Sequence, residues 1–191
     1  METTIPHIIH ERLIRGREVV NLLTIVGASI VIALAAQVAI PIPGSPVPLT
    51  LQPVAVLLVG VTLGAWRGAA AASLYLLEGI SGLPVFAQGH AGPIWLIAPT
   101  AGYLYSYPFA AWLAGFVSQR GWGSSMVRSI CGMLAALGVI YLGGWSWLAT
   151  LTSPRVAWVT GVAPFVLADM IKVAIAASLL PYAQRLVSRL S

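Results

Sequence analysis

Six apolar runs dominate the sequence, at residues 19–40, 49–65, 68–78, 100–117, 126–148 and 164–182, with little between them. A helix crossing ~30 Å of hydrocarbon uses ~20 predominantly apolar residues. Six crossings therefore consume most of a 191-residue chain and leave short connections. Charged residues make up 8% of the total, against the roughly 25% of a soluble domain, so the surface suits lipid rather than water. The expectation is an all-α integral membrane bundle of six helices, residues 19–184. A tail of residues 1–18 precedes it and a short tail of residues 185–191 follows. The first run is too long for the apolar core of a secretory signal and further runs follow at once, so it counts as a span.

The charges orient the bundle. With the N-terminus in the cytoplasm, Arg12, Arg15, Arg17, Arg67, Arg120, Arg128, Arg185 and Arg189 fall inside and only Arg155 falls outside. Basic residues concentrate on the cytoplasmic side of membrane proteins, so both termini are expected there. The same scatter argues against nucleic acid, because basic residues strewn among apolar runs make no basic face. Three outward connections result, at residues 41–48, 79–99 and 149–163, all rich in glycine and proline and nearly free of charge. Any one of them reads as a connector. Irregular backbone near a bilayer persists only where it is buried in protein or lines a cavity, so three on one face point to a capped pocket.

Few residues can carry chemistry. Ionisable groups inside spans are costly and mark function by default, and Asp169 and Lys172 in PFVLADMIK (164–172) qualify. Three positions apart on a helix, they are within reach of each other. They read either as a self-neutralising pair or as part of a site, and an apolar pair would pack at less cost. Glu78 closes the third run and reads equally as an interface residue or a functional one. The single cysteine, Cys131, excludes an intrachain disulfide and reads as a small apolar filler. Lys172 is the only lysine and stands between Ile171 and Val173. The Gly-Lys-Ser/Thr of a phosphate-binding loop is therefore missing, and an ATP-driven step needs another subunit. His7 and His10 lie in the tail and His90 in a loop, so no metal cluster forms. Neither an enzyme nor a bound cofactor is expected.

Several strings, in order and at consistent spacing, resemble the BioY family along nearly the whole chain beyond the N-terminal tail. They are SPVPLTLQ (45–52), LGAWRGAAAASLYLLEGISGLPVFAQGHAG (63–92), PTAGYL (99–104), YLGG (141–144) and GVAPFVLADMIK (161–172). Gln88 and Ala101 stand where that family often has glycine. The resemblance implies a six-helix S component of an energy-coupling factor (ECF) transporter, binding biotin from the outer side of a prokaryotic plasma membrane. It also implies a transmembrane coupling subunit and two cytoplasmic ATPase subunits as partners.

The chemistry fits such a ligand. Biotin joins a ureido ring, with two N–H donors and one carbonyl, to an apolar bicycle and an anionic tail. Asp169 accepts N–H bonds, and Lys172 either donates to the carbonyl or holds the aspartate ionised. The start of the sixth helix favours a carboxylate there. Phe86 and Tyr103 are expected to cover the ring system, Gln52 and His90 to supply neutral hydrogen bonds, and Gln88 to lie at the pocket. Trp95 reads as an interfacial anchor, and Arg155 is a candidate for the tail carboxylate. In the first run Ser29, Ala33 and Ala36 form a small-residue stripe allowing close helix approach. It serves either packing within the chain or contact with the coupling subunit. Two other functions compete: a self-sufficient carrier with Asp169 as its proton site, and a non-transport membrane scaffold or intramembrane enzyme. The lone acid–base pair and the absence of a continuous polar path favour the S component.

Overall fold

Glycine and proline cut the apolar runs into helices of unequal length. The structure, a computed structural model, describes residues 4–120 and 126–190, with side chains described for residues 18–120 and 127–178. The side chains of Arg12, Arg15, Arg17, Arg185 and Arg189, the imidazoles of His7 and His10, and residues 121–125 lie outside what is described. The chain forms α1 (Thr4–Gln37), a two-residue hairpin β1 (Ala39–Ile40) and β2 (Leu49–Thr50), then α2 (Gln52–Leu63) and α3 (Ala65–Ile80). Two short 3-10 turns precede α4 (Ala101–Gln119), which α5 (Met126–Leu151), α6 (Pro154–Gly161) and α7 (Ala163–Leu190) follow. The first helix thus begins at Thr4, within the segment expected as a polar tail.

Each expected run holds a helix, but their lengths differ from the expectation. Gly64, at φ 83°, separates α2 from α3 in a left-handed conformation that glycine adopts at no steric cost. The two helices have 12 and 16 residues, or about 18 and 24 Å at ~1.5 Å per residue. By length and composition, among the described residues, Glu18–Gln37 and Val127–Leu151 are long and apolar enough to cross a membrane. Pro154–Gly161 and Ala163–Ser178 pass the same test together as a pair bent by 42°, the geometry of a broken span or a re-entrant loop. Residues 149–163, expected as an outward loop, are instead the end of α5 and the whole of α6. Pro154 takes a first-turn position and the Ser153 hydroxyl accepts from the Val156 amide at 3.3 Å, an N-cap that starts the helix.

Helix α4 is the centre of the bundle, packed against α2, α3 and α5. Backbones meet directly there. A Cβ on Gly60 would strike the Ala111 carbonyl, and one on Gly102 would strike that of Gly143. The small-residue stripe of α1 also turns inward, which corrects the partner-contact reading for Ser29 and Ala36. Both are fully buried, and the Ser29 hydroxyl donates to Glu78 Oε1 at 2.9 Å across to α3. Ala33 is half-buried, while Ile30, Val31 and Leu34 form the exposed side of the helix. Close approach is thus used within the chain, and Glu78 finds a structural partner. Cys131, expected as a small apolar filler in a helix, lies on α5 and is exposed.

Candidate functional site

A cavity of about 120 Å³ lies beneath the hairpin and the 81–100 segment, walled by α2, α4, α5 and α7. One water needs roughly 10–15 Å³ on such a measure, so the space suits a small organic molecule. The hairpin roof is fastened at its tip: Ser45 Oγ donates to the Thr160 carbonyl at 2.7 Å, tying the loop to α6.

Asp169, in the second turn of α7, is buried and lines this space. Its Oδ1 accepts from Lys172 Nζ at 2.8 Å, and its Oδ2 accepts from the Tyr141 hydroxyl of α5 at 2.8 Å. Lys172 donates again to the Thr50 carbonyl at 2.9 Å. Its ammonium is not part of the cavity wall, so it stands behind the carboxylate and compensates the charge. Of the two roles open to Lys172 from sequence, holding the aspartate ionised is the one this geometry serves.

A second chain of hydrogen bonds sets the far wall. The Thr50 hydroxyl donates to Gln52 Oε1 at 3.4 Å, Gln52 Nε2 donates to the Tyr75 hydroxyl at 2.6 Å, and Tyr75 donates to the Val85 carbonyl at 3.2 Å. Gln37, at the end of α1, donates to the Val85 and Phe86 carbonyls at 3.3 and 3.2 Å. Gln52 therefore lines the cavity but spends part of its amide on positioning Tyr75. Phe86 packs edge-on against Tyr75, with ring centroids 5.7 Å apart, and over Gly79, where a Cβ would overlap its ring. Tyr103 lays its ring against Gly144 and donates to the Gly161 carbonyl.

The turn after Phe86 carries two of the expected residues. Gln88 has φ 61°, the sole positive φ outside glycine among the described residues, which explains why glycine would be at ease there. His90 follows, its Nδ1 2.7 Å from the Ala87 carbonyl and its ring 4.0 Å from that of Trp95. Trp95, read as an interfacial anchor, is instead part of the cavity wall. Gln52, Phe86, Gln88, His90, Tyr103 and Asp169 all meet at one cavity. Arg155 does not: it is exposed on α6, away from the lining, so the tail-carboxylate role read for it is not supported.

Sequence reasoning missed Tyr141, Tyr107 and Thr50, which also line the space. A signal existed for the tyrosines: a phenol inside an apolar run needs a hydrogen-bond partner when buried. The Thr50 carbonyl left no trace, because any residue type supplies one.

A family model described as the BioY family matches residues 9–189. The chain belongs to the BioY family. Among curated relatives it is 38% identical over 141 residues to the probable biotin transporter BioY of Pyrococcus horikoshii, covering 74% of this chain and 82% of the relative. It is 37% identical over 166 residues to the biotin transporter BioY of Rhizobium etli, covering 82% and 88%. Its fold is that of a solved S component for biotin from an ECF-type ABC transporter, with TM-score 0.81, 21% identity, and coverage of 89% of this chain and 93% of that one.

Proposed function

We propose that this BioY-family chain captures biotin for uptake, as the S component of an ECF-type transporter in a prokaryotic plasma membrane. It crosses that membrane six times with both termini in the cytoplasm. One observation carries the reading: a buried carboxylate whose two oxygens are each engaged once from within the protein. Each oxygen of an ionised carboxylate offers about two lone-pair sites. Lys172 and Tyr141 take one on each oxygen, which leaves one free site per oxygen at the wall of the cavity. Such an acceptor matches an N–H donor of a ureido ring, whose two N–H bonds diverge on either side of its carbonyl so that one carboxylate meets one of them. The remaining wall is aromatic and aliphatic, with Phe86, Tyr103, Tyr107, Ile140 and Phe165 suited to the apolar bicycle. Curated relatives named as biotin transporters support the choice of ligand.

Energy for concentrative uptake comes from elsewhere. The single lysine is committed to Asp169 and the Thr50 carbonyl, so no phosphate-binding lysine remains in the chain. A transmembrane coupling subunit and two cytoplasmic ATPase subunits are the partners this reading requires. Uptake of labelled biotin into cells unable to make it tests the assignment. Accumulation is expected when the chain is co-expressed with that module, with the Asp169→Asn chain far weaker. Equal accumulation by the variant would remove the carboxylate from the function.

A further inference from the structure

The biotin reading leaves one charge without a partner. The ligand's tail ends in a carboxylate, ionised at any physiological pH. Inside the cavity, Asp169 is offset by Lys172, so the wall brings no net positive charge to meet that anion. Among the described residues neither lysine nor arginine lines the space, and His90 is the one lining side chain able to become a cation.

The imidazole is held in a way that makes protonation consequential. Its Nδ1 lies 2.7 Å from the Ala87 carbonyl, and a carbonyl only accepts, so Nδ1 carries a hydrogen. In the neutral ring Nε2 is then a lone pair, which repels a carboxylate. Protonation turns that same atom into a cationic N–H donor without moving the ring. The ring is fixed by more than one contact. Trp95 lies against it with centroids 4.0 Å apart and the ring planes tilted by 32°, an aromatic face that also favours a cation. The Phe86 amide donates to the His90 carbonyl at 3.0 Å and the His90 amide donates to Ala87 at 3.3 Å, closing the backbone turn.

We propose that His90 is a proton-linked anchor for the anionic tail, so that capture of biotin takes up a proton at Nε2. This rests on the reading of the cavity as a biotin site. No bond to carbon is made or broken: a solvent proton binds the imidazole, and the tail carboxylate accepts the new N–H. The other ionisable groups on surrounding elements are Tyr75 and Glu78 on α3, Asp169 and Lys172 on α7, Tyr103, Tyr105 and Tyr107 on α4, and Tyr141 on α5; Tyr75 donates to the Val85 carbonyl and Tyr105 to that of Leu96. Glu78 accepts from Ser29, Asp169 is held by Lys172 and Tyr141, and Tyr103 donates to Gly161. Gln37, the α1 residue that reaches the Phe86 turn, is uncharged. None of these has a hydrogen bond to the imidazole among the described residues. A bound anion raises the proton affinity of the ring, so affinity is highest on the acid side and falls as pH rises, and the proton is taken up between the two titrations.

The test is calorimetric titration of the full chain with biotin and with biotin methyl ester, which keeps the ring system and lacks the anion. Titrations run in pairs of buffers of different ionisation enthalpy, at pH values from roughly 6 to 9. Biotin is expected to draw up to one proton from the buffer and to bind more weakly at high pH. The ester is expected to draw none and to bind independently of pH. The His90→Gln chain is expected to lose the uptake and to narrow the preference for biotin over the ester by about tenfold to a hundredfold. Because both ligands share the ring, that ratio is insensitive to general damage to the fold. Buffer-independent heats for biotin at every pH, equal uptake with the ester, or uptake that survives His90→Gln would each overturn the proposal while leaving the biotin site standing. Failure of both ligands to bind the unaltered chain would instead overturn the biotin reading, and this proposal with it.

Discussion

Replacing Asp169 by asparagine removes one charge and converts one acceptor oxygen into a donor. Both oxygens are engaged, with Lys172 Nζ and the Tyr141 hydroxyl each at 2.8 Å, so the amide must turn its NH₂ towards one of two donors. Tyr141 can rotate its hydroxyl and accept, whereas the ammonium cannot. The ligand loses a charge-assisted bond, which contributes ~1.5–3 kcal/mol. At ~1.4 kcal/mol per decade, biotin should bind about tenfold to more than a hundredfold more weakly. The partner variant differs because of burial. The Asp169 side chain is 3% exposed and that of Lys172 is 20% exposed, so water can relieve an orphaned lysine but not an orphaned carboxylate. Lys172→Met should therefore be at least as harmful to both stability and affinity, since breaking a buried pair from one side costs up to ~3–5 kcal/mol. The double variant Asp169→Asn with Lys172→Met carries neither charge, so stability should recover while affinity stays low. Calorimetric titration beside thermal unfolding separates the two quantities. Near-native biotin affinity in the double variant would mean that the pair serves only to neutralise itself, and the argument for the site would fail.

Three further outcomes are expected. Reporter fusions after Ser191 and within residues 79–99 should read opposite sides of the membrane, and an outside signal from the C-terminus would contradict six crossings. The purified chain alone should neither bind nor hydrolyse ATP, because its lysine is committed within the bundle; measurable phosphate release would refute this. Gly60→Val should separate α2 from α4, because its Cβ would strike the Ala111 carbonyl. The expected cost is that of overpacking, about 1–3 kcal/mol, read as a lower unfolding temperature, and an unchanged melt would show that the crossing relaxes freely.

What could be read from sequence follows from how local the signal was. Asp169 and Lys172 stood out because charge inside an apolar run is rare, and their spacing dictated their contact. Phe86, Gln88, His90 and Tyr103 lay in strings of consistent order, and the fold does bring them to one cavity. The direction of the Ser29, Ala33 and Ala36 stripe was not legible. In a helix apolar on every side, small residues mark a face but not which way it points. Helix α6 was hidden in a segment read as a connection between apolar runs, although Ser153-Pro154 was a start signal. The Thr50 carbonyl and the Tyr141 hydroxyl depend on how distant elements meet, which no local pattern encodes.

The most direct test of the account is titration of the purified full-length chain with biotin, thiamine and riboflavin under identical conditions. The account predicts saturable binding of biotin, strongly weakened by Asp169→Asn, and no comparable heat from the other two vitamins. Absence of biotin binding, or equal binding of thiamine or riboflavin, would contradict it.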